Sequence, residues 1–209
     1  MRRQDIENLS NLVFGLSLSI VALILIANPP NNPGELVQDL LWFTFSFFVV
    51  ISVWRSYSAI ICEIEEWGPR DIRLNIFLLL FVGMEPYLFN AITFQNSLLP
   101  PAEQDIMNNV GTMAFALDIA LILYILAIYY HILAKEHARS EKQVHHFKEH
   151  RNQRIITGSF FALSALPWLW SIKLGTMELR YVIWLIPLVM LVINSIRISI
   201  FAKEEEEDE

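Results

Sequence analysis

Residues 8–26 read NLSNLVFGLSLSIVALILI, and this stretch decides the fold class of the chain. As one helix it is long and apolar enough to cross the ~30 Å hydrocarbon core of a bilayer. Small and polar residues nevertheless recur along it, namely Ser10, Asn11, Gly15, Ser17 and Ser19. A helix that only dissolves in lipid does not need such residues, which membrane helices use where they pack closely on one another. The pattern therefore predicts a transmembrane helix that packs against partners.

The rest of the chain has the same apolar character. Of its 209 residues, 55% are hydrophobic, whereas a soluble protein of this length would need polar faces on its helices. Apolar stretches long enough to span a bilayer lie at about 9–27, 36–61, 74–94, 107–133, 155–172 and 181–201. Lipid offers no partner for open backbone groups, and no series of alternating strands of about ten residues appears. We therefore predict an all-α integral membrane protein with six transmembrane helices.

The basic residues indicate how these spans are oriented. Of the fifteen Lys and Arg residues, only Lys173 and Arg180 fall in a connection on one side of the membrane, and the others gather on the opposite side. The positive-inside rule then places both termini in the cytoplasm. We predict a multi-pass protein of the cell membrane. We predict a single six-helix domain over residues 1–203. The acidic run at 204–209 is typical of a solvated tail.

The sequence carries no signature of an enzyme or of nucleic-acid binding. It contains no H-E-x-x-H or G-x-S-x-G motif and no Gly-rich phosphate loop. Most of its histidines fall in KEHARSEKQVHHFKEH, residues 135–150, without a compact zinc spacing. A solvated cytoplasmic helix accounts for them, and a metal or pH-sensing site is the alternative. We predict a protein that is not an enzyme and has no metal site, no cofactor and no nucleic-acid partner.

Two acidic residues lie inside predicted spans. Glu85 is in the third span next to Pro86, which leaves one helical carbonyl without its donor, and Asp118 is near the middle of the fourth. Ionisable groups are costly in hydrocarbon and usually face the interior of the bundle. These acids serve either a cation or proton path or structural hydrogen bonds. Candidate partners for such bonds are Asn75, Asn90, Asn194 or a tyrosine.

On a helical wheel, the first span has a largely aliphatic stripe and a neighbouring face of smaller residues. The stripe consists of Leu12, Leu16, Ser19, Ile20 and Leu23. Gly15 and Ser19 form a small-x-x-x-small pair, which lets another backbone approach closely in membranes. One face of this helix therefore suits close packing, and its neighbour presents large aliphatic side chains.

The first span also resembles a known motif. The segment LSNLVFGLSLSIVALIL is similar to FSDGVFAIAITLLVL, the hallmark of the transmembrane protein 175 family of prokaryotic and lysosomal potassium channels. Ser10, Val13 and Phe14 match the motif, and Asn11 occupies the place of the family aspartate. The family motif begins with an arginine, where this chain has Asp5.

The resemblance continues in the next two spans. In the second, Trp54 matches the family's central tryptophan, whereas Tyr57 stands where many members have histidine. The third span is similar to the family's LN…LLPF stretch through Leu74, Asn75, Pro86 and Tyr87. The resemblance implies a hydrogen-bond network at the cytoplasmic end that involves Ser10, Asn11 and Trp54. The missing arginine and aspartate imply that this network is altered.

For function, the resemblance implies a single-repeat prokaryotic potassium channel in the cell membrane, with K⁺ as the permeant ion and no cofactor. In that family, copies of the first helix surround a central pore that aliphatic side chains constrict. Carried over by position, Leu16, Ile20 and Leu23 form the constriction and Ser19 is a polar pore-lining residue. Because one such helix cannot enclose a pore, the implied assembly is a homotetramer in contact with membrane lipid, with modest selectivity for K⁺.

Two other classes of protein fit the same sequence. A proton- or cation-coupled secondary transporter would use Glu85 and Asp118 as relay carboxylates. A non-conducting membrane scaffold would carry no ions at all. Only the channel predicts that the aliphatic stripe of the first span controls ion flow.

Overall fold

The structure is a computed structural model that describes residues 3–64, 66–93, 100–174 and 177–187. Its long helices are α1 (Arg3–Ala27), α2 (Pro33–Glu63), α3 (Pro69–Thr93), α4 (Pro101–Ile132) and α5 (Glu141–Ser164). A π-helical turn, Leu133–His137, extends α4, and a 3-10 turn, Pro167–Leu169, follows α5. The two-residue strands β1 (Lys173–Leu174) and β2 (Met177–Glu178) pair antiparallel. A helix that we call α6 is described over residues 179–187.

Local capping explains where two of these helices begin. The side chain of Asn32 accepts a hydrogen bond from the backbone N–H of Glu35, and Pro33 fills the first turn of α2, where no intrahelical N–H bond is needed. At α5, Ser140 accepts from the N–H of Gln143, whose side chain accepts in turn from a backbone N–H before the helix. The two bonds resemble a capping box, except that Gln143 accepts from Arg139, the residue before the N-cap Ser140.

Buried hydrogen bonds show that successive helices run in opposite directions. Tyr57 of α2 bonds to Asn75 near the start of α3, and Ser46, earlier in α2, bonds to Glu85, later in α3. Tyr129, near the end of α4, donates to a carbonyl in the first turn of α3 at 2.8 Å. Helices α2 and α4 therefore both run antiparallel to α3, as the predicted succession of spans requires.

Four helices of the described chain are long and apolar enough to cross a membrane, and they are α1, α2, α3 and α4 with its π-helical extension. They coincide with the first four predicted spans. The prediction of an all-helical membrane protein is thereby confirmed. The six-span arrangement, the orientation of the termini and the single domain over 1–203 stay predictions.

The region of the fifth predicted span, 155–172, is organised differently from a continuous helix. The helix begins earlier, at Glu141, and ends at Ser164. Pro167, which has no N–H for helical bonding, follows in a 3-10 turn before the strand pair. After the last charged residue of α5, Arg154, only about 15 Å of helix remains before Ser164, about half the thickness of a bilayer. Residues 188–201 of the sixth predicted span, with Asn194, and the acidic tail at 204–209 lie outside the described residues.

Helix α5 packs along α4, and one glycine permits the contact. A Cβ placed on Gly158 would lie 3.1 Å from Cε1 of Tyr124 and 3.3 Å from Cβ of Leu123. Residues 141–150 of the histidine-rich segment lie in α5, and His150 stacks on Tyr130 of α4 with ring centroids 5.2 Å apart. The residues expected in a solvated helix therefore lie partly against α4.

An aromatic cluster joins α6 to the rest of the bundle. Trp184 is buried, and its Nε1 donates to the hydroxyl of Ser164 at 2.6 Å. The rings around it are those of Trp42, Phe45, Phe115, Phe161 and Tyr181. Arg180, expected in an outer connection, is buried next to this cluster, with Nη2 2.5 Å from a carboxylate oxygen of Glu178.

Candidate functional site

Helix α1 has two contrasting faces. One face is buried against the bundle and consists of Ile6, Ser10, Phe14, Ser17 and Val21. The spacing of three or four residues keeps these side chains on one side of the helix. The two serines of this face are therefore packing residues, and each forms a hydrogen bond to a neighbouring helix.

The aliphatic stripe lies on an uncovered part of α1. The side chains of Leu12, Leu16, Ile20 and Leu23 are 62%, 51%, 40% and 60% exposed. Ser19 is also exposed, and its hydroxyl donates to the carbonyl of Gly15 in its own helix at 2.8 Å. No atom lies within 4 Å of a Cβ placed on Gly15. The described part of one chain therefore leaves the stripe and the small-residue pair uncovered.

A buried hydrogen-bonded chain links the first three helices near one end. The hydroxyl of Tyr57 lies 2.6 Å from Oγ of Ser10 and donates to Oδ1 of Asn75. Close by, Nε1 of Trp54 donates to Oδ1 of Asn11 at 2.9 Å. Tyr57 stands where many family members have histidine, and here it is the central residue of the hydrogen-bonded series Ser10, Tyr57 and Asn75. In the sequence, Tyr57 stands out only as a departure from the motif, although a buried tyrosine hydroxyl normally needs such a partner.

A second contact between α1 and α3 lies nearer the middle of the bundle. The hydroxyl of Ser17 donates to the carbonyl oxygen of Val82 at 2.9 Å. Pro86 lies four residues after Val82 and has no N–H, so the carbonyl lacks its usual helical donor. The sequence predicted a freed carbonyl at this point but not the residue that satisfies it.

The two intramembrane acids are both buried in the bundle. Glu85 is 1% exposed and Asp118 is 4% exposed. Ser46 of α2 donates to Oε1 of Glu85, a partner that the sequence did not suggest, while Asn75 bonds to Tyr57 instead. Among the described residues, no hydrogen-bond partner reaches the other oxygen of Glu85 or either oxygen of Asp118.

The described histidines do not converge with other ligands on a metal centre. No group of three or more His, Cys, Asp or Glu side chains suitable for a metal occurs in the part of the chain that the structure describes. The rings of His146 and His150 meet at 4.4 Å in an edge contact on α5. Burial lowers the pKa of His150, and the neighbouring His146 and Arg154 lower it further. These effects favour the neutral form of the His150 ring.

Comparison with known families agrees with the sequence resemblance. Residues 5–86 match the family model described as endosomal/lysosomal potassium channel TMEM175. The matched segment runs from the first turn of α1 to Pro86 of α3. It includes the aliphatic stripe and the hydrogen bonds of Tyr57 with Ser10 and Asn75. No curated protein and no solved structure matched the chain. With its long apolar helices, the chain is a multi-pass membrane protein whose first three helices are similar to a potassium channel family.

Proposed function

We propose that this chain, whose first three helices match the model of the TMEM175 family, conducts K⁺ through a pore lined by α1 from four copies. The ions would pass a constriction of Leu16, Ile20 and Leu23, with the Ser19 hydroxyl between them. Both termini would lie in the cytoplasm. The assembly would be a homotetramer in a prokaryotic plasma or inner membrane.

One observation carries the proposal, the uncovered stripe of α1. Its neighbours on the opposite face are buried, so the helix is firmly held while Leu16, Ile20 and Leu23 project away from the bundle. A helix that lines a pore between copies needs this combination of an anchored face and a free aliphatic face. Lipid contact alone would also leave these residues exposed, and therefore ion flux must decide.

Hydrophobic side chains can gate and select without coordinating the ion. A narrow apolar ring opposes water entry, and only an ion that loses part of its hydration shell at modest cost can pass. K⁺ holds its shell more weakly than Na⁺. We therefore expect a modest preference for K⁺, in keeping with a chain in which no TVGYG-like filter sequence occurs.

The test is ion flux through the purified protein in liposomes, with the K⁺ gradient calibrated by valinomycin. A channel gives downhill K⁺ flux that changes when Leu16 or Ile20 is shortened. A carrier that uses Glu85 and Asp118 gives flux that Glu85→Gln abolishes and that the stripe variants leave unchanged. A scaffold gives no flux even at high protein density, and that result would refute the proposal.

A further inference from the structure

The buried acids Glu85 and Asp118 have surroundings that a structural hydrogen bond alone does not explain. A cavity of about 10 Å³ lies beside Glu85, roughly the space of one water molecule. Glu85 is the one carboxyl group in its wall, and the other lining residues are apolar: Phe14, Val49, Val50, Val53, Val82, Ile119 and Ile122. Part of the Glu85 side chain thus borders a small apolar space at the junction of α1, α2, α3 and α4.

Asp118 belongs to the same place. It directly precedes Ile119 and lies one helical turn before Ile122, and both of these isoleucines line the cavity. This position next to the cavity-lining isoleucines makes the Asp118 carboxyl group an electrostatic neighbour of Glu85. Glu85 keeps one oxygen without a hydrogen-bond partner in the described chain, and Asp118 keeps two.

No positive charge compensates these acids within the described chain. From α1 the cavity wall receives Phe14 and from α2 three valines, while Ser46 contributes a neutral hydroxyl to Glu85. The buried guanidinium of Arg180 is paired with Glu178. The buried residues of α5 are Phe147, Gly158, Phe161 and Ser164, none of which carries a charge. Arg154 of α5 has a buried Nε but does not line the cavity. Two neighbouring carboxylates in such surroundings would repel each other and lose their hydration.

We propose that Glu85 and Asp118 form a proton-binding site in the core of the bundle. The protonated acid keeps the cavity apolar. On deprotonation the carboxyl O–H bond breaks and the proton passes to a water molecule, which leaves a carboxylate that needs hydration in a space of about one water. Binding of a metal cation is disfavoured here, because hard cations need several oxygen ligands and the remaining cavity wall is apolar.

The site is mechanically connected to α1. Phe14 of α1 and Val82 of α3 both line the cavity, and the Val82 carbonyl also accepts the Ser17 hydrogen bond. Hydration of the cavity would therefore act on the buried face of the helix whose opposite face carries Leu16 and Ile20. This coupling, unlike the proton site itself, rests on the proposed channel function.

Infrared difference spectroscopy of the full-length protein in lipid tests the proton site without any need for flux. We expect the carbonyl stretching band of a protonated carboxylic acid at neutral pH, its disappearance on alkaline titration, and its loss or reduction in Glu85→Gln and in Asp118→Asn. The matched variants Glu103→Gln and Asp105→Asn, on exposed residues at the start of α4, should keep the band. A wild-type spectrum without the band, or one that both core variants leave intact, would overturn the proposal.

The coupling is measured separately as K⁺ flux against pH. We expect flux to change with pH in the wild type and in the two exposed-acid variants, and to lose that dependence in Glu85→Gln. If the band is present and flux is independent of pH, the coupling is refuted and the proton site stands. If there is no flux at all, the channel function fails and the infrared result still decides the site.

Discussion

Ser17 in α1 donates its hydroxyl hydrogen to the Val82 carbonyl of α3, at 2.9 Å, where Pro86 has removed the helical donor. Pro86 thus leaves a backbone carbonyl of α3 without its donor, and Ser17, on a different helix, supplies the missing hydrogen bond. Backbone groups in a membrane need internal partners, so this bond secures α1 to α3 at the level of the cavity. It fixes the buried face of the helix whose other face carries the aliphatic stripe.

Ser17→Ala should destabilise the fold by about 1 kcal/mol, since it leaves the Val82 carbonyl without a donor. The effect should shrink in a Pro86→Ala background, where the N–H of residue 86 can bond to Val82. Unfolding in detergent measures the cycle. Ser19→Ala is the control, because that hydroxyl bonds within α1 and is exposed. Equal losses in the two backgrounds would refute the pairing of Ser17 with the proline-freed carbonyl.

Tyr57→Phe should also destabilise the protein, by about 1–3 kcal/mol, because Ser10 and Asn75 lose the hydroxyl that connects them in a buried site. Tyr124→Phe is the matched control, since its hydroxyl is 3.2 Å from Ser159 in an exposed contact. Thermal unfolding of the two variants in the same detergent gives the comparison. A Tyr57→Phe protein as stable as the control would show that the hydrogen bonds of Tyr57 with Ser10 and Asn75 contribute little to stability.

How much of this could be predicted depends on the range of the interaction. The first four spans are continuous apolar segments of the sequence, and those segments alone predicted α1 to α4. The end of α5 at Ser164 was missed because hydropathy averages over a window and is insensitive to Pro167. The burial of Arg180 was missed for a related reason, since its partner Glu178 and the aromatic cluster come together only in the fold.

The candidate site shows the same division. The stripe of α1 follows from helical periodicity, and the structure leaves those residues exposed. The partners of its polar residues do not follow, since Ser17 to Val82 and Ser46 to Glu85 are contacts between helices whose relative rotation the sequence does not specify. A freed carbonyl at Val82 and a buried acid at Glu85 were readable, whereas the serines that satisfy them were not.

Leu16→Ala and Ile20→Ala should raise K⁺ flux several-fold and lower the preference for K⁺ over Na⁺. A shorter side chain widens an apolar constriction and lowers the cost of a hydrated ion within it. The control is Leu80→Ala, which shortens an exposed leucine on α3. Reversal potentials in planar bilayers with unequal K⁺ and Na⁺ give the selectivity. Unchanged potentials and currents in both α1 variants would remove these residues from the pore.

Gly158→Ala should be less stable than Gly83→Ala by about 1–3 kcal/mol. At Gly158 the added methyl group meets Tyr124 at 3.1 Å, whereas at Gly83 nothing lies within 4 Å. Both substitutions change helix propensity in the same way, so their difference isolates the packing of α5 on α4. Unfolding in the same detergent is the measurement, and equal stabilities would show that α5 can shift without cost.

The stability of the α4–α5 contact should depend on pH through His150. Its folded-state pKa lies below the ordinary value of 6.5, because burial and then the charges of His146 and Arg154 disfavour the cation, which Glu149 only partly offsets. At pH values near 6.5 and below, the folded protein binds fewer protons at His150 than the unfolded chain does. The free energy of unfolding therefore decreases as pH falls from about 7 to about 5.

The variant His150→Phe keeps the stack on Tyr130 and should flatten this decrease. His145→Gln alters an exposed ring and should preserve it. Thermal midpoints recorded across the range make the comparison, and a His150→Phe protein with the full wild-type slope would assign the pH dependence to another group.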